Sequence, residues 1–475
     1  MMPSKKQQMS LFLVSMSTST VALASTCSIG YYDPNNGSNC IPAPPGSYVA
    51  TPGATTATLA EPGRFTSTPG MTTALLALPG TYTPNPGMTA GLASPVGYYI
   101  PNAGSSSPTL APAGTFAPYE QMIAPLPAPV GYYVPTAGAT TATAVSSGFY
   151  APATGMANQL PTGGMAASLT AALQASQALQ QLNGDLFNST QDQSLKVAAA
   201  YQRNTVKQEA LTSSEFKTHI SSIALQADLQ KSGSDVMGLQ ASYANHRLNN
   251  SDVTNTGNSY QFGAFKSGLL GDTQYQASLV YGKTNSNNQR NISVQYSTDT
   301  AIENLSSKGD VSWYGLTTRA SHPLTRDFSA IAELGVLSYK ADAIHESGTA
   351  TINGSSVSSV AALSTEGLRY TSIPALLGVS YDLLPKVAGQ KQAPIVVTLG
   401  ITGDFASKQN LAVNSSAGRV YNLSVKQTSA NAGLIKMSFN GWEISKDVNV
   451  SGTLQAQAGS DTMVYQAGIN LVKKW

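Results

Sequence analysis

Charge is scarce in this sequence. Asp, Glu, Lys and Arg make up 11% of its 475 residues and balance to a net charge of +2, against about 25% charged residues in an ordinary soluble protein. With no Lys/Arg cluster beyond the first few residues, a nucleic-acid footprint and a polybasic membrane patch are excluded. Cysteine is rarer still: only Cys27 and Cys40 occur, close together near the start. In an oxidising compartment the two can pair. No apolar run reaches the roughly 18 residues a membrane-spanning helix needs, which leaves only a barrel as a way to cross a bilayer. Four histidines, His219, His246, His322 and His345, are scattered, and no nucleophile elbow, phosphate loop or metal-ligand spacing occurs. The reading is therefore of a protein that is not an enzyme, with no catalytic residue, cofactor or metal. The "GSD" at 459–461 reads as a hairpin tip.

What is present falls into successive regions. Residues 1–24 read as a secretory signal: Lys5 and Lys6, a moderately apolar stretch, then Ala22-x-Ala24. A polar disordered start is the competing reading. Residues 25–164 repeat. Gly30, Gly46, Gly63, Gly80, Gly97, Gly114, Gly131 and Gly148 each open a unit, and after the first interval every step is 17 residues, as in "GRFTSTPGMTTALLALP". A unit this short cannot bury its apolar residues alone, so neighbours must stack. The recurring aromatics (Tyr48, Phe65, Tyr82, Tyr99, Phe116, Tyr133, Tyr150) argue for packing, while the Pro/Gly/Thr/Ala composition also permits a disordered stalk. The first unit, "CSIGYYDPNNGSNCIPAPPG", resembles the cysteine-rich repeats of ephrin-receptor-like extracellular modules, with Leu59, Leu76 and Leu110 near the cysteine places later on.

Residues 165–234 are rich in Ala, Gln, Leu, Ser and Lys and read as helical, with a shorter helix near 166–182 and a longer one near 190–231. The longer one, polar on most faces, is expected inside a wet pore. From 235 to 475 the period becomes two. Tyr275, Ala277, Leu279 and Tyr281 oppose Gln274, Gln276 and Ser278; Ile395, Val397, Leu399 and Ile401 oppose Thr398 and Thr402; Leu454 and Ala456 oppose Gln455 and Gln457. Strands with one apolar and one wet face match a transmembrane antiparallel barrel, lipid outside and water within. A soluble sandwich also alternates, but strand length and the uncharged apolar face weigh against it. Ten strands are clear from periodicity.

Signal, repeats, helical linker and a C-terminal barrel ending in an aromatic: this order resembles the monomeric autotransporters of Gram-negative outer membranes. The resemblance implies twelve strands and a barrel-assembly signal at Tyr465, Ala467, Ile469, Leu471 and Trp475, from which Lys473 departs at one apolar position. It also implies outer-membrane lipid and the general secretion and barrel-assembly machineries as partners, a monomeric barrel, and a passenger at the cell surface with an unidentified receptor. Some members cleave themselves at the linker, where Asn183 and Asn188 are candidates by position. The expected function is export and anchoring of a short repetitive passenger for adhesion or as a spacer. The alternative is a channel with an incidental N-terminal extension.

Overall fold

The computed structural model describes residues 27–37, 39–146, 148–186, 193–207, 215–296, 299–384, 395–405, 409–415, 420–425 and 431–474. The expected signal segment and Trp475 lie outside them. Two compact units divide the chain: Met1–Ala111 with Ala117–Leu126, and Pro112–Phe116 with Pro127–Trp475.

In the first unit each repeat is a hairpin of two-residue strands. Ser47–Tyr48 pairs with Thr58–Leu59, Arg64–Phe65 with Leu75–Leu76, and Thr81–Tyr82 with Leu92–Ala93. Hairpins this small are unstable alone, and a backbone ladder joins them. The N–H groups of Gly46, Gly63 and Gly80 donate to the carbonyls of Thr66, Thr83 and Ile100 in the next repeat, each at 2.9 Å. Those of Gly87 and Gly104 donate to the carbonyls of Ala60 and Ala77 at 2.8 Å.

The core that results is built chiefly from small and β-branched residues, with the recurring aromatics packed at its margin. Ala43, Ala60, Ala77 and Ser94 form one buried column and Val49, Thr66, Thr83 and Ile100 another, whereas Tyr48, Phe65, Tyr82 and Tyr99 are half-buried and Leu59, Leu76 and Leu110 are exposed. Backbones this close leave room for little more than methyl groups. At Gly46, with φ +90°, even a Cβ would stand 2.2 Å from the Gly87 carbonyl oxygen. Cys27 and Cys40 are disulfide-bonded across 13 residues, a closure that stabilises the first repeat by about 3 kcal/mol in the chain-entropy model.

The second unit is dominated by a barrel of twelve antiparallel strands: β1 (Ser194–Lys207), β2 (Glu215–Ser232), β3 (Asp235–Asn249), β4 (Val253–Leu270), β5 (Thr273–Gln295), β6 (Thr300–Pro323), β7 (Phe328–Ala341), β8 (Pro374–Leu384), β9 (Ile395–Asp404), β10 (Asn431–Ser445), β11 (Val448–Gly459) and β12 (Thr462–Lys474). Each pairs with the next, and β1 pairs with β12 from Ser194↔Lys474 to Val206↔Thr462, which closes the ring. The terminal strand therefore has no open edge. One end has tight turns, such as Gly233–Ser234, Gly271–Asp272 and Lys446–Asp447. At the other, β5 and β6 run to 23 and 24 residues, and short strands at Ser347–Ile352, Ser355–Ser358, Leu363–Thr365 and Leu368–Ser372 fill the β7–β8 connection.

Inside lies one helix, α1 (Gly163–Asp185), close to the shorter helix expected. The longer helix near 190–231 is corrected: its described residues form β1 and β2, so the barrel wall begins at Ser194 rather than at 235 and the helical linker is confined to α1. The physical reason lies in the inner wall. Phe216, Ile220 and Ala224 of β2 point inward against α1, while Ile223 and Leu225 point outward. Apolar residues on both faces blur the period of two, and good helix formers in β1 yield to pairing on both sides.

Candidate functional site

The barrel wall sorts its side chains by face. Outward and exposed stand Ile223, Leu239, Phe262, Leu279, Leu316, Val336, Leu377, Leu399, Ile435, Leu454 and Ile469, one from each strand from β2 to β12. Inward and buried stand Gln202, Gln226, Gln240, Gln261, Gln276, Thr398, Lys436, Gln457 and Gln466. Tyrosines bound the apolar band on the long-loop side, where Tyr243 pairs with Tyr260 and Tyr281 with Tyr314. Phe328 and Tyr381 bound it on the short-turn side, their ring centroids 4.8 Å apart. In water so broad an exposed apolar belt would aggregate; in a bilayer it is the lipid-facing surface of a wall without edges. This is an outer-membrane barrel.

The barrel's lumen is plugged by α1, whose small residues let it approach the wall. Ala167 and Ala171 pack with Val206, Phe216, Leu248 and Val253; Leu182 packs with Ala198, Ala200 and Ala224. At about 1.5 Å per residue its 23 residues reach roughly 35 Å, enough for a hydrocarbon core of about 30 Å. Its C-terminal end is held by cations. Arg319 Nη1 donates to the Gly184 carbonyl at 2.5 Å, Lys436 pairs with Asp185, and Gln466 Nε2 donates to Asp185 at 3.3 Å. Positive charge there complements the helix dipole. A cavity of about 170 Å³ remains beside this end, with Asp404 on its wall together with Gln276, Thr398, Gln455 and Gln457 of the wet faces that the alternation predicted. Asn183 donates to Ser242 Oγ at 3.2 Å; Asn188 lies outside the described residues.

A second cluster, missed by sequence reasoning, sits on the long-loop side where the last repeat meets the extended β5 and β6. The hairpin of Phe149–Tyr150 with Leu160–Pro161 leads directly into α1. It docks through a bridge between Met156 and Tyr296 and through Asn158, which accepts from the Gln295 N–H at 2.8 Å. Arg290 is buried here. Its Nε donates to Glu346 Oε1 at 2.9 Å, its Nη2 to the Ala361 carbonyl at 2.7 Å, and both Nη atoms to the Tyr150 hydroxyl at 3.2 Å. Glu346 accepts from the Leu363 N–H at 2.9 Å, and Glu303 from the Ala361 N–H at 3.0 Å. Burial pushes the Tyr150 phenol well above its ordinary pKa. Tyr150 is fully buried here where the aligned aromatics are half-buried, a difference its place in the repeat does not announce.

Of the residues expected to signal barrel assembly, Tyr465, Ala467, Ile469 and Leu471 lie on the exposed outer face of β12, and Trp475 is outside the described residues. The histidines stay apart. His219 faces outward beside Tyr201, His246 is buried against Asn255 at 2.8 Å, and His322 meets Thr273 at 2.9 Å. Among the described residues no His, Cys, Asp or Glu groups gather as a metal site.

No protein-family model matches the sequence. No curated protein matches it significantly either. Among solved structures, the translocator domain of the autotransporter NalP from Neisseria meningitidis is similar at 13% identity and TM-score 0.48, over 65% of this chain and 98% of that one. The transport unit of the autotransporter AIDA-I from Escherichia coli is similar at 16% identity and TM-score 0.40, over 65% and 98%. The toluene transporter TodX of P. putida is similar at 9% identity and TM-score 0.38, over 61% and 92%. These likenesses concern the course of the backbone. Twelve strands are the number that the resemblance to autotransporters implied, and the lumenal helix is α1 rather than the longer helix expected there.

Proposed function

We propose that this barrel exports and anchors the chain's own N-terminal repeats, which act at the cell surface in adhesion or as a spacer. The path of the chain carries the reading. It passes from the last repeat, docked at the long-loop end, through the lumen as α1 and into β1, which starts beside the end of β12 at the short-turn end. Repeats that leave the barrel opposite its termini have crossed the wall's full height. The composition of the repeats suits that passage, because Asp33, Glu61, Arg64 and Glu120 are their only charges and the one disulfide spans a short loop. Outer-membrane lipid and the secretion and barrel-assembly machineries are the partners this role requires.

A tag inserted near Gly104 tests the export. External protease should remove it from intact cells and leave the barrel whole. A tag protected until the outer membrane is permeabilised places the repeats in the periplasm and ends the proposal. Adhesion is tested apart from export: cells displaying the protein should bind a surface or one another better than cells displaying residues 163–475 alone.

A further inference from the structure

We propose that the outer wall of β3–β6, just beyond the tyrosine tier, binds the phosphorylated sugar headgroup of an anionic glycolipid in the adjoining leaflet. Strand register sets the site. Arg203 pairs with His219, His219 with Arg247, Arg247 with Thr256, Thr256 with Asn287, and Asn287 with Lys308. All six are exposed, so one belt across six strands carries three cations and a histidine. The belt is one-sided: on β12 the partners of Arg203 and Thr205 are Tyr465 and Met463. Nearby acids are committed, Asp310 to Lys283 at 2.9 Å and Glu215 to Lys217 at 3.4 Å.

Beside the belt is a shallow groove lined by Asn245, Thr256, Asn258, Asn285, Asn287 and Lys308, with the Lys283-paired carboxylate of Asp310 also on its wall. Directly below it, Tyr243 and Tyr260 stand with ring centroids 5.3 Å apart, and the Tyr243 hydroxyl donates to Asn258 Oδ1 at 2.8 Å. Each layer names part of the ligand. Leu239, Phe262 and Leu279 below the tyrosines face acyl chains. Side-chain amides offer both donors and acceptors, which suits sugar hydroxyls. Arg247 and Lys308 at the margins suit phosphate. A phospholipid headgroup would satisfy the cations and leave the amides unused.

This inference rests on the reading that the long-loop end faces outward, and its test is independent of that reading. Purified barrel in detergent is titrated with an acylated, doubly phosphorylated glucosamine disaccharide, with its dephosphorylated form and with phosphatidylglycerol, and bound lipid is counted by native mass spectrometry. The phosphorylated glycolipid should bind at least about tenfold more tightly than either comparison lipid. The Arg247→Ala/Lys308→Ala variant should lose about tenfold, as expected for a lost charge-assisted hydrogen bond. Asn285→Leu/Asn287→Leu should lose affinity for the glycolipid and keep that for phosphatidylglycerol. Heat-modifiable migration reports folding, and Lys308→Gln alone serves if a double variant fails to fold. Equal affinity for phosphatidylglycerol, or unchanged affinity in the variants, overturns the proposal. Binding at an end that surface tagging shows to be periplasmic keeps the site and overturns the outward reading.

Discussion

Arg290 lies buried beyond the membrane band, with Glu346, Tyr150 and the Ala361 carbonyl all turned towards its charge. Removing one partner of such a pair strands the other, at a cost of about 3–5 kcal/mol. Glu346→Ala should therefore loosen the last repeat and the 359–363 segment, read as new protease cuts there, while the barrel still resists unfolding on an unheated gel. Tyr150 adds a pH dependence. Its pKa is raised in the folded protein, so its contribution is complete below the ordinary phenol value of about 10 and is lost as pH climbs above that. Docking measured by protease resistance should fail in that alkaline window, and Tyr150→Phe should abolish the dependence. Little of this was legible beforehand: Arg290, Glu303 and Glu346 are far apart in sequence, and only the fold makes them neighbours. Gly46 was the opposite case. Its place in a 17-residue period marked it as structural, and Gly46→Ala should melt the repeat stack locally because its Cβ meets a carbonyl oxygen.

Between α1 and β2 the sequence signals were unequal. The helix announced itself through a stretch rich in Ala, Leu and Gln, and the later strands through clean alternation, as Gln276 and Ser278 inside against Leu279 and Tyr281 outside show. β1 and β2 stayed hidden because their inner face mixes Phe216, Ile220 and Ala224 with Gln202, Asn204 and Gln226 while Ile223 and Leu225 stand outside, so no clean alternation marks them. That distinction gives an element-scale test. Deleting 163–185 should leave a folded barrel with larger, steadier conductance in planar bilayers, because α1 fills the lumen. Deleting 194–231 should abolish the barrel itself, since β12 would lose its partner. A conducting barrel after the second deletion would contradict the closure of the ring.

For the whole molecule, the order of repeats, plug and barrel was readable, and so was the wet and dry sidedness of most strands. The repeat core of Ala43, Ala60 and Ala77 was not legible, since Ala is common throughout the repeats and carries no spacing signal of its own. The closed, edge-free wall predicts that the purified protein migrates faster unheated than heated on a denaturing gel; one mobility at both temperatures would count against it. The glycine-to-carbonyl ladder has a further consequence, for heredity. Each rung joins a fixed position of one repeat to a fixed position of a neighbouring repeat, so the stack tolerates a change in the number of repeats. Recombination between repeated units of a gene adds or removes whole units, and each product would meet its neighbours in step. Natural variants of this chain should therefore differ in passenger length by multiples of 17 residues, the surface reach adjustable in whole steps, while the disulfide-closed first repeat and the docked last one persist at either end.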